Sequence, residues 1–276
     1  MLLFFSIENS LDNFSHVGGL GILVRDLFLE FKKKEKEAIF FSILPLKRSK
    51  VEISENKIEE KYEEKILTPE YCYNFQTNWY PVRACINIFP GGTQKTKAIF
   101  VTLENNEEWL KNYALYREKD HGQIIFVRYV FYLAVKKYLE ENHIYPTVIH
   151  INESDTILFF FLPIEFEINS FKIYHSHTPL PIGHKTISKE VLESLLPRKM
   201  INFLEVGFQN GKVNLGKVAA HYADKIITVS KLHERITKER IYPQYRDKIT
   251  SVTNGINIEE WLGDEIKKLY DEKIPG

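Results

Sequence analysis

TVIHINESD, residues 147–155, and FKIYHSHT, residues 171–178, share one plan: a short apolar run that ends in polar side chains. Each run has the length and continuous apolarity of a buried strand, and its polar residues mark a turn. The plan recurs in LLFFSIE, AIFFSILPL, AIFVTLE, KIITVSK and KITSVTNGI, which begin at residues 2, 38, 98, 225 and 248. Such runs, alternating with helices, predict a parallel sheet that is covered on both faces.

Two stretches between these runs are typical of helices. GILVRDLFLEFKKKEKE, residues 21–37, is apolar on one side, and QIIFVRYVFYLAVKKYLEEN, residues 123–142, is long and ends at Asn142. The fold class that follows is α/β, a Rossmann-like doubly wound sheet, with residues 1–276 forming a single domain. Charged residues dominate 47–70, and we interpret that segment as a solvated hairpin or a flexible insertion.

Composition excludes several classes of function. Lys plus Arg and Asp plus Glu both number 37, so no positive field attracts nucleic acid or an anionic membrane. Cys72 and Cys85 are the only cysteines and predict neither a disulfide framework nor a zinc site, which suits a reducing cytosol. The apolar N-terminus lacks a basic region, and the run TILFFFLPI is too short to span a bilayer. We therefore expect a soluble, cytoplasmic protein.

In a parallel sheet, ligands bind beyond the carboxyl ends of the strands, so the polar turns are the places to search for chemistry. The turn SHVGGLGILVRD, residues 15–26, carries Gly18, Gly19 and Gly21 immediately before a helix. Glycines let a ligand approach main-chain N–H groups, and a helix N-terminus favours an anion such as phosphate. A tight turn without any ligand explains the same residues equally well.

The turn in HINESD, residues 150–155, brings His150, Asn152, Glu153 and Asp155 to one strand end. Imidazole, amide and carboxylate groups are suited to binding sugar hydroxyls.

The next motif, HSHTPLPIGHK at residues 175–185, places His175, His177 and His184 close together. A metal site has little support, because no cysteine or well-spaced carboxylate completes a ligand set. A sugar pocket and buried structural histidines both remain open.

Together these motifs resemble the N-terminal half of two-domain, GT-B-fold glycosyltransferases that act on α-1,4-glucans. GGLGILVRD resembles the glycine loop shared by bacterial glycogen or starch synthases and α-glucan phosphorylases. HINESD resembles the phosphorylase pattern His-x-Asn-Glu-Gly-His, and HSHTPLPIGHK resembles the phosphorylase stretch Thr-His-Thr-Pro-Val-Pro-Ala-Gly-His. The later segments ADKIITVSKLHERI and VTNGINIEEWL, which begin at residues 223 and 252, resemble both enzyme classes.

The resemblance implies roles for individual residues. His177 would lie over the transferred glucosyl unit as a catalytic group together with Asp155, while His184 would stabilise the loop. No residue is assigned to a metal. The substrate-binding residues that it implies are His16, Gly18, Gly19, Leu20, Gly21, Asn152, Glu153 and Thr178.

Two positions depart from the family patterns. Asp155 replaces the last histidine of the phosphorylase motif, which puts the phosphorylase mechanism in doubt at this position. His16 and Val17 stand where synthases carry a lysine before the glycines, which removes a permanent cation for nucleotide phosphates.

Too few residues follow VTNGINIEEWL to build a second Rossmann-like domain. We therefore expect a split, phosphorylase-like glycosyltransferase whose other domain is a separate subunit. The alternatives are a synthase-type half using nucleotide-glucose, a non-catalytic glucan-binding subunit, and an unrelated nucleotide-binding protein. Pyridoxal phosphate or a nucleotide sugar would sit on the missing domain, with none bound by this chain. The expected partners are α-1,4-glucan or maltooligosaccharide, phosphate or nucleotide-glucose, and a C-terminal-domain subunit or a second copy.

Overall fold

A computed structural model describes residues 1–15, 17–54, 57–65, 67–105, 107–111, 113, 115–116, 118, 120–180, 185–255 and 262–273. The strands are β1 Leu2–Phe5, β2 Ala38–Ile43, β3 Lys47–Ser54, β4 Lys57–Glu64, β5 Tyr71–Gln76, β6 Pro81–Ile88, β7 Thr96–Glu104, β8 Val148–Asn152, β9 Phe171–Ser176, β10 Thr186–Ser188, β11 Phe208–Gln209, β12 Lys212–Asn214, β13 Lys225–Thr228 and β14 Ile249–Ser251. The helices are α1 Gly19–Lys33, α2 Glu108–Lys111, α3 His121–Glu141, α4 Leu162–Glu165, α5 Lys189–Leu195, α6 Arg198–Leu204, α7 Leu215–Tyr222, α8 Lys231–Ile236 and α9 Asp264–Lys273.

A 9-stranded sheet of order β14-β13-β9-β8-β1-β2-β7-β6-β5 organises the chain. All of its neighbouring pairs from β14 to β7 are parallel, which confirms the predicted α/β class. The chain builds outward from β1 through β2 to β7, then returns to β8 and builds the other way. The strand order therefore reverses between β1 and β8, which is where doubly wound folds bind ligands.

Helices cover both faces of the sheet. On one face, Val24 and Phe28 of α1 pack on Phe4, Phe40 and Ala98 of the strands. On the opposite face, a much larger apolar core includes α3, α7 and a 3₁₀ helix over Ser154–Phe161, the segment that contains most of the run TILFFFLPI. Among the described residues, no helix combines the length and apolarity needed to cross a bilayer.

The predicted secondary structure is confirmed in the central sheet. Both anticipated helices form, with Asp120 capping the start of α3 through its side chain and Asn142 ending it. The charged segment folds as the antiparallel hairpin β3–β4, one of the two forms expected for it.

The sequence interpretation missed a second hairpin, β5–β6, which extends the sheet with antiparallel strands. In it Cys72 lies opposite Cys85, with their Cα atoms 4.1 Å apart, and the two form a disulfide. Because antiparallel pairing brings these cysteines together, the cysteine-based argument for a reducing compartment does not hold.

Candidate functional site at the carboxyl edge of the sheet

The polar turns after β1, β8 and β9 meet where the strand order reverses. We call this region the carboxyl edge, meaning the side of the sheet at which the parallel strands end. Because β1 pairs with β8, and β8 with β9, the residues that follow these strands are neighbours although they lie far apart in the chain. Most of the residues predicted for the site belong to these turns.

A hydrogen-bond path links the motif around His177 to the glycine turn. His177 Nε2 lies 2.6 Å from Asn152 Oδ1, and Asn152 Nδ2 donates to Ser6 Oγ at 3.3 Å. Ser6 Oγ also accepts from the backbone N–H of Glu8, whose carboxylate reaches the N–H of Gly18. Because an amide oxygen only accepts, His177 Nε2 carries the ring proton and Nδ1 is left as an acceptor.

The glycine turn differs from the expected open loop. Gly18 is the N-cap residue of α1, while Gly19 and Gly21 already lie inside the helix. Gly18 has an extended backbone with φ of −155°, so left-handed angles are not the reason for this glycine. A Cβ on Gly21 would lie 3.0 Å from Glu8 Oε2, so this glycine allows the close approach of a carboxylate.

Glu8 supplies a negative charge to the turn from within the chain. Its Oε2 accepts from the N–H groups of Val17 and Gly18 at 3.0 and 3.1 Å, and its side chain is 2% exposed. Later N–H groups in the first turn of α1 have no partner within the helix. A Cβ built on Gly19 meets nothing within 4 Å, so the helix start is open to a ligand on that side.

Glu153 is a buried carboxyl group directly beneath His177. Its Oε1 accepts from the backbone N–H of His177 at 2.8 Å, and the hydroxyl of Thr178 also bonds to the carboxyl group. Burial, aided by the nearby Asp155, raises the pKa of Glu153 to about 7. Its φ of 66° is unusual for a residue with a side chain, and Oε2 is buried without a hydrogen-bond partner. Such strained, incompletely satisfied groups concentrate at ligand sites.

Asp155 forms ion pairs with two cations. Its Oδ1 lies 2.7 Å from Lys185 Nζ and 3.4 Å from Arg128 Nη2. Burial alone would raise the pKa of Asp155, but Lys185 and Arg128 outweigh burial and hold this pKa below its usual value. Arg128, which is itself buried in α3, is also paired with Glu118. The arrangement makes Asp155 a fixed anion, and its proposed catalytic role rests on the family resemblance alone.

Three imidazoles form a row beside this carboxyl edge. The ring centroids of His175 and His177 are 4.2 Å apart, and those of His150 and His175 are 5.5 Å apart. Burial and mutual repulsion lower the pKa of His150 and of His177 well below 6.5, while burial and His233 lower that of His175 to about 4. All three rings are therefore neutral at pH 7. Within the described ranges, no group of three or more His, Cys, Asp or Glu is arranged to hold a metal ion.

The predicted site residues divide into those brought together and those outside the described ranges. Asn152, Glu153, His177 and Thr178 are in contact, and Gly18 joins them through Glu8. Leu20 lies in the first turn of α1. The predicted His16 and His184 fall outside the described residues.

Sequence reasoning missed Ser6, Glu8, Tyr116, Lys185 and Arg128. The first two directly follow β1, so the rule that polar strand ends form sites would have found them had it been applied to LLFFSIE. A lone arginine inside the apolar helix QIIFVRYVFYLAV was also a signal, because buried cations need partners. No local pattern pointed to Tyr116.

Comparison with known proteins gives the family context. The family model for the starch synthase catalytic domain matches residues 2–244. The catalytic domain of starch synthase IV from Arabidopsis thaliana, solved with ADP and acarbose bound, superposes with a TM-score of 0.68 at 15% identity, covering 94% of this chain and 52% of that one.

Two curated relatives divide between synthase and phosphorylase. Glycogen synthase of Lactococcus lactis is 25% identical over an alignment of 261 residues, which covers 89% of this chain and 51% of the relative. Maltodextrin phosphorylase of Thermococcus litoralis is 28% identical over an alignment of 153 residues, which covers 47% of this chain and 18% of the relative. The chain thus aligns with about half of the synthase and with a smaller part of the phosphorylase.

Proposed function

Because the chain belongs to the family of starch synthase catalytic domains, we propose that it is the acceptor-side domain of an α-1,4-glucan synthase that uses a nucleotide-glucose donor. The sequence motifs alone favoured a phosphorylase, whereas the family match and the longer alignment with a glycogen synthase favour the synthase. The ADP and acarbose of the starch synthase IV structure are the ligand chemistries that such a site would take.

The observation that carries this proposal is the path from His177 through Asn152, Ser6 and Glu8 to the glycine turn. It joins the imidazole of His177 to a helix N-terminus at the strand reversal, the usual ligand site of this fold. His177 Nδ1 would accept from a glucosyl hydroxyl, and the first turn of α1 would face the donor phosphates.

Neutral histidines suit this chemistry. A glucosyl group that leaves its donor develops positive charge, and an uncharged imidazole does not repel that charge. Oriented oxygen acceptors beside the imidazole are suited to stabilise it. The low pKa of His177 keeps the ring neutral throughout the neutral pH range. In the proposed function, Glu153 fixes the backbone at His177 and Asp155 anchors the turn beneath it.

The test is a His177→Ala variant of the full chain, assayed for binding of ADP-glucose and for glucosyl transfer to maltoheptaose. We expect transfer to be lost and donor binding to weaken, because the contact over the glucosyl unit disappears. His221→Ala is a matched control, since His221 is exposed and its imidazole bonds to Tyr245. The bond from Lys248 goes to the backbone carbonyl of His221, which the substitution keeps. Full transfer by the His177→Ala variant would remove His177 from the site.

The transfer assay is run on the chain alone and on its mixture with any separate polypeptide that folds as a second Rossmann-like domain. We propose that such a polypeptide, or a second copy of this chain, completes the site. Activity that appears only in the mixture supports the split enzyme. Glucan binding without turnover in every mixture supports a non-catalytic glucan-binding subunit instead.

The phosphorylase reading is the second candidate, because the identity to the maltodextrin phosphorylase is concentrated in 153 residues. It predicts glucose 1-phosphate release from maltoheptaose and inorganic phosphate. Lys185 is ion-paired with Asp155, so it offers no free amine for pyridoxal phosphate, and no lysine of this chain is assigned to that cofactor. Parallel assays with phosphate and with ADP-glucose separate the two candidates.

A further inference from the structure

Tyr116 contacts residues of the candidate site but has no role in the site as proposed so far. Its hydroxyl donates to Glu8 Oε1 at 2.9 Å, on the carboxylate that also holds the glycine turn. Lys185 Nζ lies 5.8 Å from the centre of its ring, and the same ammonium group pairs with Asp155. Tyr116 therefore stands between the glycine turn and the turn that follows β8.

The backbone of Tyr116 is held in an unfavourable conformation. Its φ of 63° lies in the left-handed region, which a bulky aromatic residue rarely adopts. Such a conformation is energetically unfavourable and persists only where surrounding contacts impose it. The contacts with Glu8 and Lys185 supply that constraint, so the ring is fixed in place.

A ring fixed in this way would ordinarily be buried, yet Tyr116 is 41% exposed. Burial around its hydroxyl, together with Glu8, raises the pKa of Tyr116, so the phenol stays protonated and its donor position is fixed. The polar end of the side chain is thus bonded inside the protein, although the residue as a whole is exposed. That is the reverse of the usual arrangement, in which the hydroxyl points to water.

We infer that Tyr116 is a stacking platform for a glucosyl ring of the glucan at the candidate site. A pyranose has an apolar C–H face and a rim of hydroxyls, which match an exposed aromatic ring beside charged side chains. Lys185 and Asp155 lie next to the ring and are suited to those hydroxyls. The inference rests on the proposed function and names the residue that would bind the acceptor chain.

The test measures binding of maltoheptaose and, separately, of ADP-glucose to the full chain by calorimetry. Tyr116→Ala should weaken maltoheptaose binding about 10-fold, the scale of one aromatic contact. ADP-glucose affinity should stay within about 2-fold, since the ring is assigned to the acceptor. Tyr116→Phe keeps the ring and loses the bond to Glu8, so it should retain maltoheptaose binding. Tyr145→Ala, an exposed tyrosine before β8 at the opposite end of the strands, is the matched control.

Four results would overturn the inference. Unchanged maltoheptaose binding by Tyr116→Ala removes the ring from the acceptor site. A loss in Tyr116→Phe equal to that in Tyr116→Ala assigns the effect to the hydroxyl and Glu8, which is a structural role. If the wild-type chain binds ADP-glucose but not maltoheptaose, Tyr116 is not an acceptor platform, and the proposed donor site is unaffected. If it binds neither ligand, the proposed function is contradicted as well. Melting temperatures of the variants report whether each still folds.

Discussion

At the scale of single residues, the site depends on groups whose protonation the fold has changed. His175 is 8% exposed, and neither of its ring nitrogens has a hydrogen-bond partner in the described structure. Because burial lowers its pKa from 6.5 to about 4, the folded protein keeps this ring neutral at a pH where the unfolded chain binds a proton. Its contribution to stability is complete above pH 6.5 and is lost as the pH falls toward 4.

Glu153 acts in the opposite direction. Its pKa rises from 4.5 to about 7, so the fold favours the protonated carboxyl group. The corresponding contribution is complete below about pH 4.5 and is lost as the pH rises through 7. Together the two groups predict that the free energy of unfolding is greatest between their folded-state pKa values, about 4 for His175 and about 7 for Glu153.

We predict that His175→Phe flattens the acid limb of this profile. Between pH 7 and pH 5 the wild type should lose about 2 kcal/mol more of its free energy of unfolding than the variant, because phenylalanine binds no proton. Urea unfolding at the two pH values measures the difference, with His221→Ala as an exposed-histidine control. Equal acid losses in wild type and His175→Phe would show that His175 does not titrate on unfolding.

At the scale of elements, the start of α1 is shaped around a carboxylate. We predict that Gly21→Ala lowers the free energy of unfolding by about 1–3 kcal/mol, because its Cβ would press against Glu8 and the backbone of Ser10. Gly19→Ala, two residues earlier in the same turn, meets no atom within 4 Å and should be neutral or stabilising by up to ~1 kcal/mol. Thermal melts compare the pair. Equal stability of the two variants would contradict the packing of Glu8 against α1.

The elements also show how far the sequence could predict the structure. Buried strands such as β1, β8 and β9 and the long helix α3 were predictable, because continuous apolar runs and helical spacing are local signals. The hairpin β5–β6 was not, since NWYPVRACINIFP mixes polar and apolar residues without clear alternation and its pairing depends on the neighbouring β7.

The same limit applies to the candidate site. Motifs after strands predicted that Asn152, Glu153 and His177 meet at one edge of the sheet, and these residues are in contact because parallel strands end on one side. They did not reveal that Glu8 occupies the amide of Gly18, which was assigned to a ligand, together with that of Val17. Nor did they reveal that Asp155 is paired with Lys185 and Arg128. These contacts join residues distant in the chain, and only the packing of the sheet and helices brings them together.

At the scale of the whole molecule, the strand order reverses between β1 and β8, the position at which folds of this class bind ligands. Helices α1 and α3 pack on opposite faces of the sheet. Val17, Leu180 and Val252 are more than half exposed and belong to segments that follow strands of this sheet. We propose that a second domain or subunit covers this side in the active enzyme.

The most direct test is an amide NMR titration of the full chain with ADP-glucose, following the backbone signals of residues after β1, β8 and β9. If these turns form a single binding site, signals from Gly18, Gly19, Glu153 and His177 should shift together and fit one dissociation constant. Exposed amides at the amino ends of the strands, such as that of Tyr145, should stay unchanged. Shifts confined to one turn, or two sets that saturate at different concentrations, would contradict the single shared site.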